Sequence, residues 1–239
     1  MSPPSRIGAE PRAERSSEKI LNFLQLNFRK SETTWILCNQ ELIDRGKSPD
    51  IVLIQDPPHS VVMGMNIFQG YRAVCAPGRG DGVGQVAILI KNFLQFKRLR
   101  PFGPRVLALE VAGTNGPIIV ISAYIRHSSG EGLDDLEVAV RWAKGRCPRV
   151  LLGLDADGHS PWWGPPSVRT NPVGGMLEEL IVKLDLEILN KCTAPATFVS
   201  DTGNHSWIDI TLASRSLAAS IVEWRVEPDF FTGFDHRPI

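Results

Sequence analysis

The residues of this chain that could do chemistry stand at the ends of apolar runs. The plainest case is Arg149-Val150-Leu151-Leu152-Gly153-Leu154-Asp155-Ala156-Asp157-Gly158. Val150, Leu151, Leu152 and Leu154 form a run too short for most helices and suited to a buried strand. The run ends in two carboxylates. Asp155 and Asp157 are two apart, so an extended backbone points both to one face. Two like charges at the mouth of a buried strand are costly unless something compensates them. A metal ion, or a substrate reached through a shared proton, would do so. The alternative is a polar strand exit in which aspartates cap the turn.

Polar residues recur in the same position elsewhere. Asn27 ends the run from Ile20, Asp56 ends the run from Asp50, and Tyr124 ends the run from Ile118. Asp209 lies within Ser206-Trp207-Ile208-Asp209-Ile210, and Asp235-His236 comes near the end of the chain. Six strands delivering such groups to one rim would make a metal-assisted hydrolase site. Asp56 can give a hard cation one oxygen while water fills the other positions. A histidine oriented by a buried carboxylate can act as acid, base or transition-state stabiliser. His236 is that histidine, Asp209 its candidate partner, and Asp155 the candidate base for an attacking water. His127 and Ser206 are candidate contacts for a nucleic-acid backbone, should the partner be one, Ser206 because hydroxyls commonly meet phosphate. His59 reads as exposed loop, His159 as a brace for the Ser160-Pro161 turn, and Trp162 and Trp163 as packing residues.

Composition limits the possible partners. The 239 residues carry 26 Lys plus Arg against 26 Asp plus Glu, so no global charge draws the chain to a polyanion. Binding to DNA must come from a local patch or a metal. The nearest patch is Lys97, Arg98, Arg100 and Arg105 with Phe96 and Phe102 between them, which also fits a charged edge strand. The four cysteines are scattered without a Cys-x-x-Cys pair, which points to reduced thiols and away from a zinc site. No run has the length of a membrane span, and no signal peptide is visible.

The elements that must position these groups follow in order. Residues 1–18 read as a disordered lead-in, and residues 19–239 as one domain. A strand at 20–28 leads to a helix capped by Ser31, with Trp35, Cys38, Leu42 and Ile43 at helical spacing and Gly46 as the stop. A buried strand at 50–56 is stopped by Pro57-Pro58, and 60–70 reads as loop. The glycine-rich turn at 77–84 lacks the Lys-Ser/Thr ending and following helix of a phosphate loop. Strands are expected at 71–75, 85–90, 93–98, 106–111 and 118–124, forming an antiparallel meander. A helix at 132–145, the strand to Asp155, and a helix at 175–183 built on Met176, Leu177, Leu180 and Ile181 come next. Strands at 186–189, 196–199, 207–212 and 221–226 complete the series, and a further strand should begin near 234. Such an order gives two packed sheets with helices outside. A domain halting there reads as part of a longer polypeptide.

The motifs carry a resemblance. Gln25-Leu26-Asn27, Ile54-Gln55-Asp56, Ser122-Ala123-Tyr124, Gly153-Leu154-Asp155-Ala156-Asp157, Trp207-Ile208-Asp209 and Phe234-Asp235-His236-Arg237-Pro238 stand in the order of the endonuclease/exonuclease/phosphatase superfamily. The runs Asp157–Gly164 and Ser206–Asp209 resemble the apurinic/apyrimidinic-type endonuclease domain of insect non-LTR retrotransposons, especially the clade that inserts into ribosomal RNA genes. The resemblance implies a four-layered α/β sandwich with two mostly antiparallel mixed sheets flanked by helices. It implies Mg²⁺-dependent nicking of double-stranded DNA, with Mn²⁺ able to substitute. The 3′-hydroxyl left behind would prime reverse transcription by a covalently linked reverse transcriptase. The site of action would be the nucleus, after translation in the cytoplasm, with no membrane partner. By position, Asp56 would hold the metal with Asn27 beside it, and Tyr124 would contact the scissile phosphate. Asp155 would activate the water and Asp157 would position it. Asp209 would orient His236, which would stabilise the phosphorane, and Asp235 would assist the metal or the histidine.

Two positions depart from the family pattern: Asp56 stands where Glu is usual, and Asp157 where Asn is usual. An ionised Asp157 donates no hydrogen bond and repels phosphate. These departures leave a non-catalytic DNA-docking module open, and a phosphatase for small phosphoesters, which would keep the fold and chemistry but want a basic pocket, is a second alternative. Target choice would rest on loops at 57–70, 126–131, 159–172 and 200–206 and a hairpin near 212–220, reading DNA shape more than bases.

Overall fold

In the computed structural model, residues 20–64, 68–78, 82–126, 129–230, 233 and 235–239 are described. The expected lead-in, His127 and parts of the loops at 57–70, 77–84 and 126–131 lie outside the described residues. Two sheets organise the chain. The first contains β1 (Phe23–Asn27), β2 (Ile51–Gln55), β3 (Tyr71–Pro77) and β4 (Val83–Lys91) in the order β1-β2-β4-β3. The second contains β5 (Phe96–Arg98), β6 (Val106–Val111), β7 (Ile118–Tyr124), β8 (Val150–Asp155), β9 (Leu186–Ile188) and β12 (Asp209–Ser214) in the order β5-β6-β7-β8-β12-β9. β1 pairs with β2, and β7 with β8, in parallel; the other pairs in both sheets are antiparallel. A separate ribbon joins β10 (Phe198–Val199) to β11 (His205–Ser206).

The period of two in the strands sorts their side chains into layers. Ile51 and Leu53 of β2 face the second sheet, among Leu109, Val120 and Leu151. Val52 and Ile54 face outward, against Trp35, Cys38 and Leu42 of α1 (Glu32–Asp44). Ile119 and Ile121 of β7 face outward, against α3 (Leu133–Lys144) and α4 (Pro172–Lys183). Helix, sheet, sheet and helices thus make the four-layered sandwich, and β2 and β8 are buried along their whole length because both faces are covered.

Local chemistry sets the helix starts. Ser31 Oγ accepts from the Thr34 amide at 3.2 Å, as expected of an N-cap. α4 starts at Pro172, three residues before the expected Gly175, because Asn171 Oδ1 accepts from the Gly174 amide at 2.7 Å and proline suits a first turn. Met176 and Ile43 face solvent rather than the core. A short helix, α2 (His59–Val62), occupies the expected loop. The expected strand at 221–226 has no ladder partner among the described residues, and α5 (Arg215–Ala218) stands in place of a hairpin at 212–220.

A polar seam joins the sheets behind the strand ends. Gln25 Nε2 donates to the Leu154 carbonyl at 2.9 Å, and Thr211 Oγ1 donates to Gln25 Oε1 at 3.1 Å. Gln55 Nε2 donates to Ser122 Oγ at 3.0 Å and to the Gly153 carbonyl at 3.2 Å, while Ser122 Oγ donates to the Ile54 carbonyl at 2.9 Å. Gly153 permits this approach, since a Cβ there would lie 2.7 Å from Leu53 Cδ1 and 2.8 Å from Gln25 Oε1. Gly153→Ala is therefore expected to destabilise the protein by about 1–3 kcal/mol, the usual range for overpacking, as read by denaturant unfolding. An unchanged midpoint would show that the seam gives way freely.

Candidate active site

Strand register brings the chemical residues together. Tyr124 lies opposite Asp155 across β7 and β8, and Asp155 lies opposite Asp209 across β8 and β12. Directly opposed residues share a face. Asn27, at the end of β1, reaches across from the other sheet, its Nδ2 donating to Asp155 Oδ2. The Arg29 amide donates to Asn27 Oδ1 at 2.7 Å and so fixes the orientation of that side chain.

The residues from Asp235 to Ile239 run from the β10 ribbon to the free edge of β1 and deliver His236. The Val199 amide donates to the Asp235 carbonyl at 2.8 Å, and the Arg237 amide to the Thr197 carbonyl at 2.7 Å. Ile239 exchanges two backbone hydrogen bonds with Gln25 on the free edge of β1. His236 Nδ1 lies 3.0 and 3.2 Å from the two Asp209 carboxylate oxygens, and Phe198 packs edge-on against the imidazole. Thr197 Oγ1 accepts from the Asp209 amide at 3.0 Å, and Asn190 Nδ2 donates to the Asp209 carbonyl at 3.0 Å, fixing the start of β12. Asp155, Asp209 and His236 are all buried, with one ligand-type atom of each within 4.8 Å of the others.

Asp56 follows β2 at a left-handed φ of 40°, which Asp tolerates better than most residues. Its amide donates to the Gln85 carbonyl, and its carbonyl accepts from Lys30. Asp157 departs from expectation. β8 ends at Asp155 and Asp157 has φ 46°, so the alternation of an extended strand does not relate the two carboxylates. Asp157 nevertheless lies close enough for its charge to act on both Asp155 and Tyr124. Arg29 pairs with Asp235 at the rim. Ser206 sits on the β10-β11 ribbon opposite Phe198, outside this cluster. His59 is exposed, and the His159 amide donates to Asn171 Oδ1 in the turn. Trp163 is fully buried as expected, whereas Trp162 is about half exposed.

Arg105, in a basic run that fits a charged edge strand, is instead buried immediately before β6. Its carbonyl accepts from the Tyr124 amide at 3.0 Å, its charge reaches Tyr124 and Asp56, and its Nη1 pairs with Glu131 at 2.6 Å. The Arg-Val-Leu-Ala-Leu run, which turns from charge to a buried strand, was the available signal.

Crowded acids shift the titrations in opposed directions. Burial, then the Asp209 charge, pushes Asp155 up to about 7, although His236 opposes them. Burial lowers the affinity of His236 for its proton, but the charge and hydrogen bond of Asp209, with Asp155 and Asp235, outweigh it and raise the pKa to about 9. Burial, then Asp56, Asp155 and Asp157, pushes the Tyr124 phenol up to about 12. Burial also raises Asp56. Asp56 Oδ1 and Asp155 Oδ1 are buried carboxylate oxygens without a hydrogen-bond partner among the described residues. Asp56 and Asp155 both act on Tyr124, so these two orphaned hard oxygens stand on one rim and are donors of the type a divalent cation takes.

Fold and rim together define the class, an α/β sandwich of the endonuclease/exonuclease/phosphatase type. Residues 118–239 match the model of the endonuclease-reverse transcriptase family, and the chain belongs to that family. Among solved structures, the endonuclease domain of TRAS1, a telomere-specific non-LTR retrotransposon, superposes with a TM-score of 0.76 at 24% identity over 91% of this chain and 95% of that one. The AP endonuclease LMAP of Leishmania major gives 0.71 at 16% identity, over 91% and 86%. The 3′ phosphatase NExo of Neisseria, bound to a product DNA hairpin, gives 0.67 at 18%, over 92% and 97%. At these identities the likenesses concern the fold. No curated protein matches the chain.

The imidazole can be tested without turnover. In metal-free protein, NMR titration of His236 should give a pKa near 9, falling clearly in Asp209→Asn, where burial acts with less opposition. Because the folded value exceeds the unfolded one, this group's contribution to stability is full below about pH 6.5 and is lost as pH rises through about 9. A wild-type value near 6.5 would refute the pairing.

Proposed function

We propose that this chain is a Mg²⁺-dependent DNA endonuclease that nicks one strand of double-stranded DNA. The product is a 3′-hydroxyl that primes a linked reverse transcriptase in the nucleus. The observation that supports this reading most is the register that gathers Tyr124, Asp155, Asp209 and the paired His236 on one buried rim with two orphaned carboxylate oxygens. Acid and base roles separate where environments drive pKa values apart.

Asp155 is part-ionised at neutral pH and takes a proton from the attacking water, with Asp157 positioning that water. Asn27 holds Asp155 Oδ2 and leaves Oδ1 as the accepting atom. His236 stays protonated and donates to the phosphoryl oxygens as charge develops on them, oriented by Asp209 and supported by the charge of Asp235. Tyr124 keeps its phenolic proton and hydrogen-bonds the scissile phosphate. Asp56, with Asn27, would hold Mg²⁺ or Mn²⁺, and the bound cation supplies Lewis-acid stabilisation of the phosphate charge. The buried Asp209–His236 pair supports catalysis over a docking role. A ribosomal RNA gene as target rests on the Asp157–Gly164 and Ser206–Asp209 runs.

Supercoiled plasmids carrying ribosomal DNA or telomeric repeats provide the test, with Mg²⁺ or EDTA, followed by extension of the nicks with a DNA polymerase. Mg²⁺-dependent nicks that extend directly are expected, favouring the ribosomal insert, with a loss on the order of 10²-fold or more in His236→Ala. Nicking that survives EDTA or His236→Ala would reject the site. Phosphate release from 3′-phosphorylated DNA without nicking would favour a phosphatase.

A further inference from the structure

Arg105 and Glu131 form a pair with unequal exposure. The Arg105 side chain is nine-tenths buried, and its Nε has no acceptor among the described residues. The Glu131 side chain, which caps the guanidinium through Nη1, is 36% exposed and also lies 3.7 Å from Arg126 Nη1. A carboxylate between two guanidinium groups occupies the geometry that a phosphate takes. The acid can swing into solvent at little desolvation cost, whereas the arginine cannot leave and needs an anion when the acid goes. A cavity of about 430 Å³ bordered by Arg105, Ser129, Gly130 and Glu131 gives the acid room to move. Asp134 and Asp135 also line that cavity and would repel an anion within it, whereas the Arg105 charge reaches Tyr124, so an anion beside Tyr124 lies within range of the guanidinium.

We propose that Arg105 binds a DNA backbone phosphate beside Tyr124, and that Glu131 occupies the arginine until DNA displaces it. This rests on the nuclease reading, since Tyr124 marks the scissile position only there. Glu131 is then a resident competitor, and its removal should strengthen binding. If it only braced Arg105, its removal would weaken binding.

The test is duplex-DNA binding by the full chain carrying His236→Ala, in EDTA, across a salt series. Glu131→Gln should tighten binding several-fold. Arg105→Ala should weaken it and reduce the salt slope by about 1, as loss of one phosphate contact does. Arg105→Lys, which keeps the charge and guards against misfolding, should fall between Arg105→Ala and the parent. In the double variant Arg105→Ala/Glu131→Gln, the gain from Glu131→Gln should vanish, because it acts through Arg105. Weaker or unchanged binding in Glu131→Gln, or a gain that persists without Arg105, would overturn the competitor role and leave the nuclease reading standing. Failure of the parent to bind DNA at all would overturn both.

Discussion

Asp155 and Asp209 face each other as register partners across β8 and β12, each almost sealed from water. Two ionised carboxylates in that position repel and are poorly solvated, so the surrounding structure must relieve them. Relief comes from three directions. Asn27 donates to one, the His236 imidazolium pairs with the other, and Asp155 Oδ1 is left open to a proton while a cation nearby offsets the remaining charge. Each source lies on a different part of the chain, which is why the site closes only when both sheets and the last residues are in place.

The polar seam serves the same end. Gln25 and Gln55 cross between sheets at the level where apolar packing stops, and Gly153 lets them approach the β8 backbone. Ile239 pairs with Gln25, so the strand that offers Asn27 also anchors the segment that offers His236. Register on β1 is thereby tied to the position of the imidazole. A slip of one residue would turn Asn27 away from Asp155.

Much of this was legible in the sequence because it is local. Short apolar runs ending in Asn27, Asp56, Tyr124 and Asp155 identified strands and rim together, and Ser31 identified a helix start. What escaped depends on distant partners. Asp157 shares a rim with Asp155 through a left-handed turn rather than strand alternation, and a side-chain period cannot show that. Arg105 sits in a basic run, and only the packing of β6 beside Tyr124 separates it from its exposed neighbours Lys97 and Arg98. The apolar residues at 221–226 look like a strand, but among the described residues no neighbouring edge pairs with them. Gln25 and Gln55 look like ordinary strand polar residues until the second sheet is laid against them.

The measurement that bears most directly on the buried carboxylate pair is thermal melting at pH 8, with and without Mg²⁺, for the wild type and Asp155→Asn. Repulsion relieved by a cation predicts that Mg²⁺ raises the wild-type Tm by mass action. It also predicts that without metal Asp155→Asn melts above the wild type, and that Mg²⁺, held by Asp56, then raises its Tm by less than it raises that of the wild type. A wild-type Tm indifferent to Mg²⁺, together with an Asp155→Asn variant that melts lower, would contradict it and make the pair an ordinary structural contact.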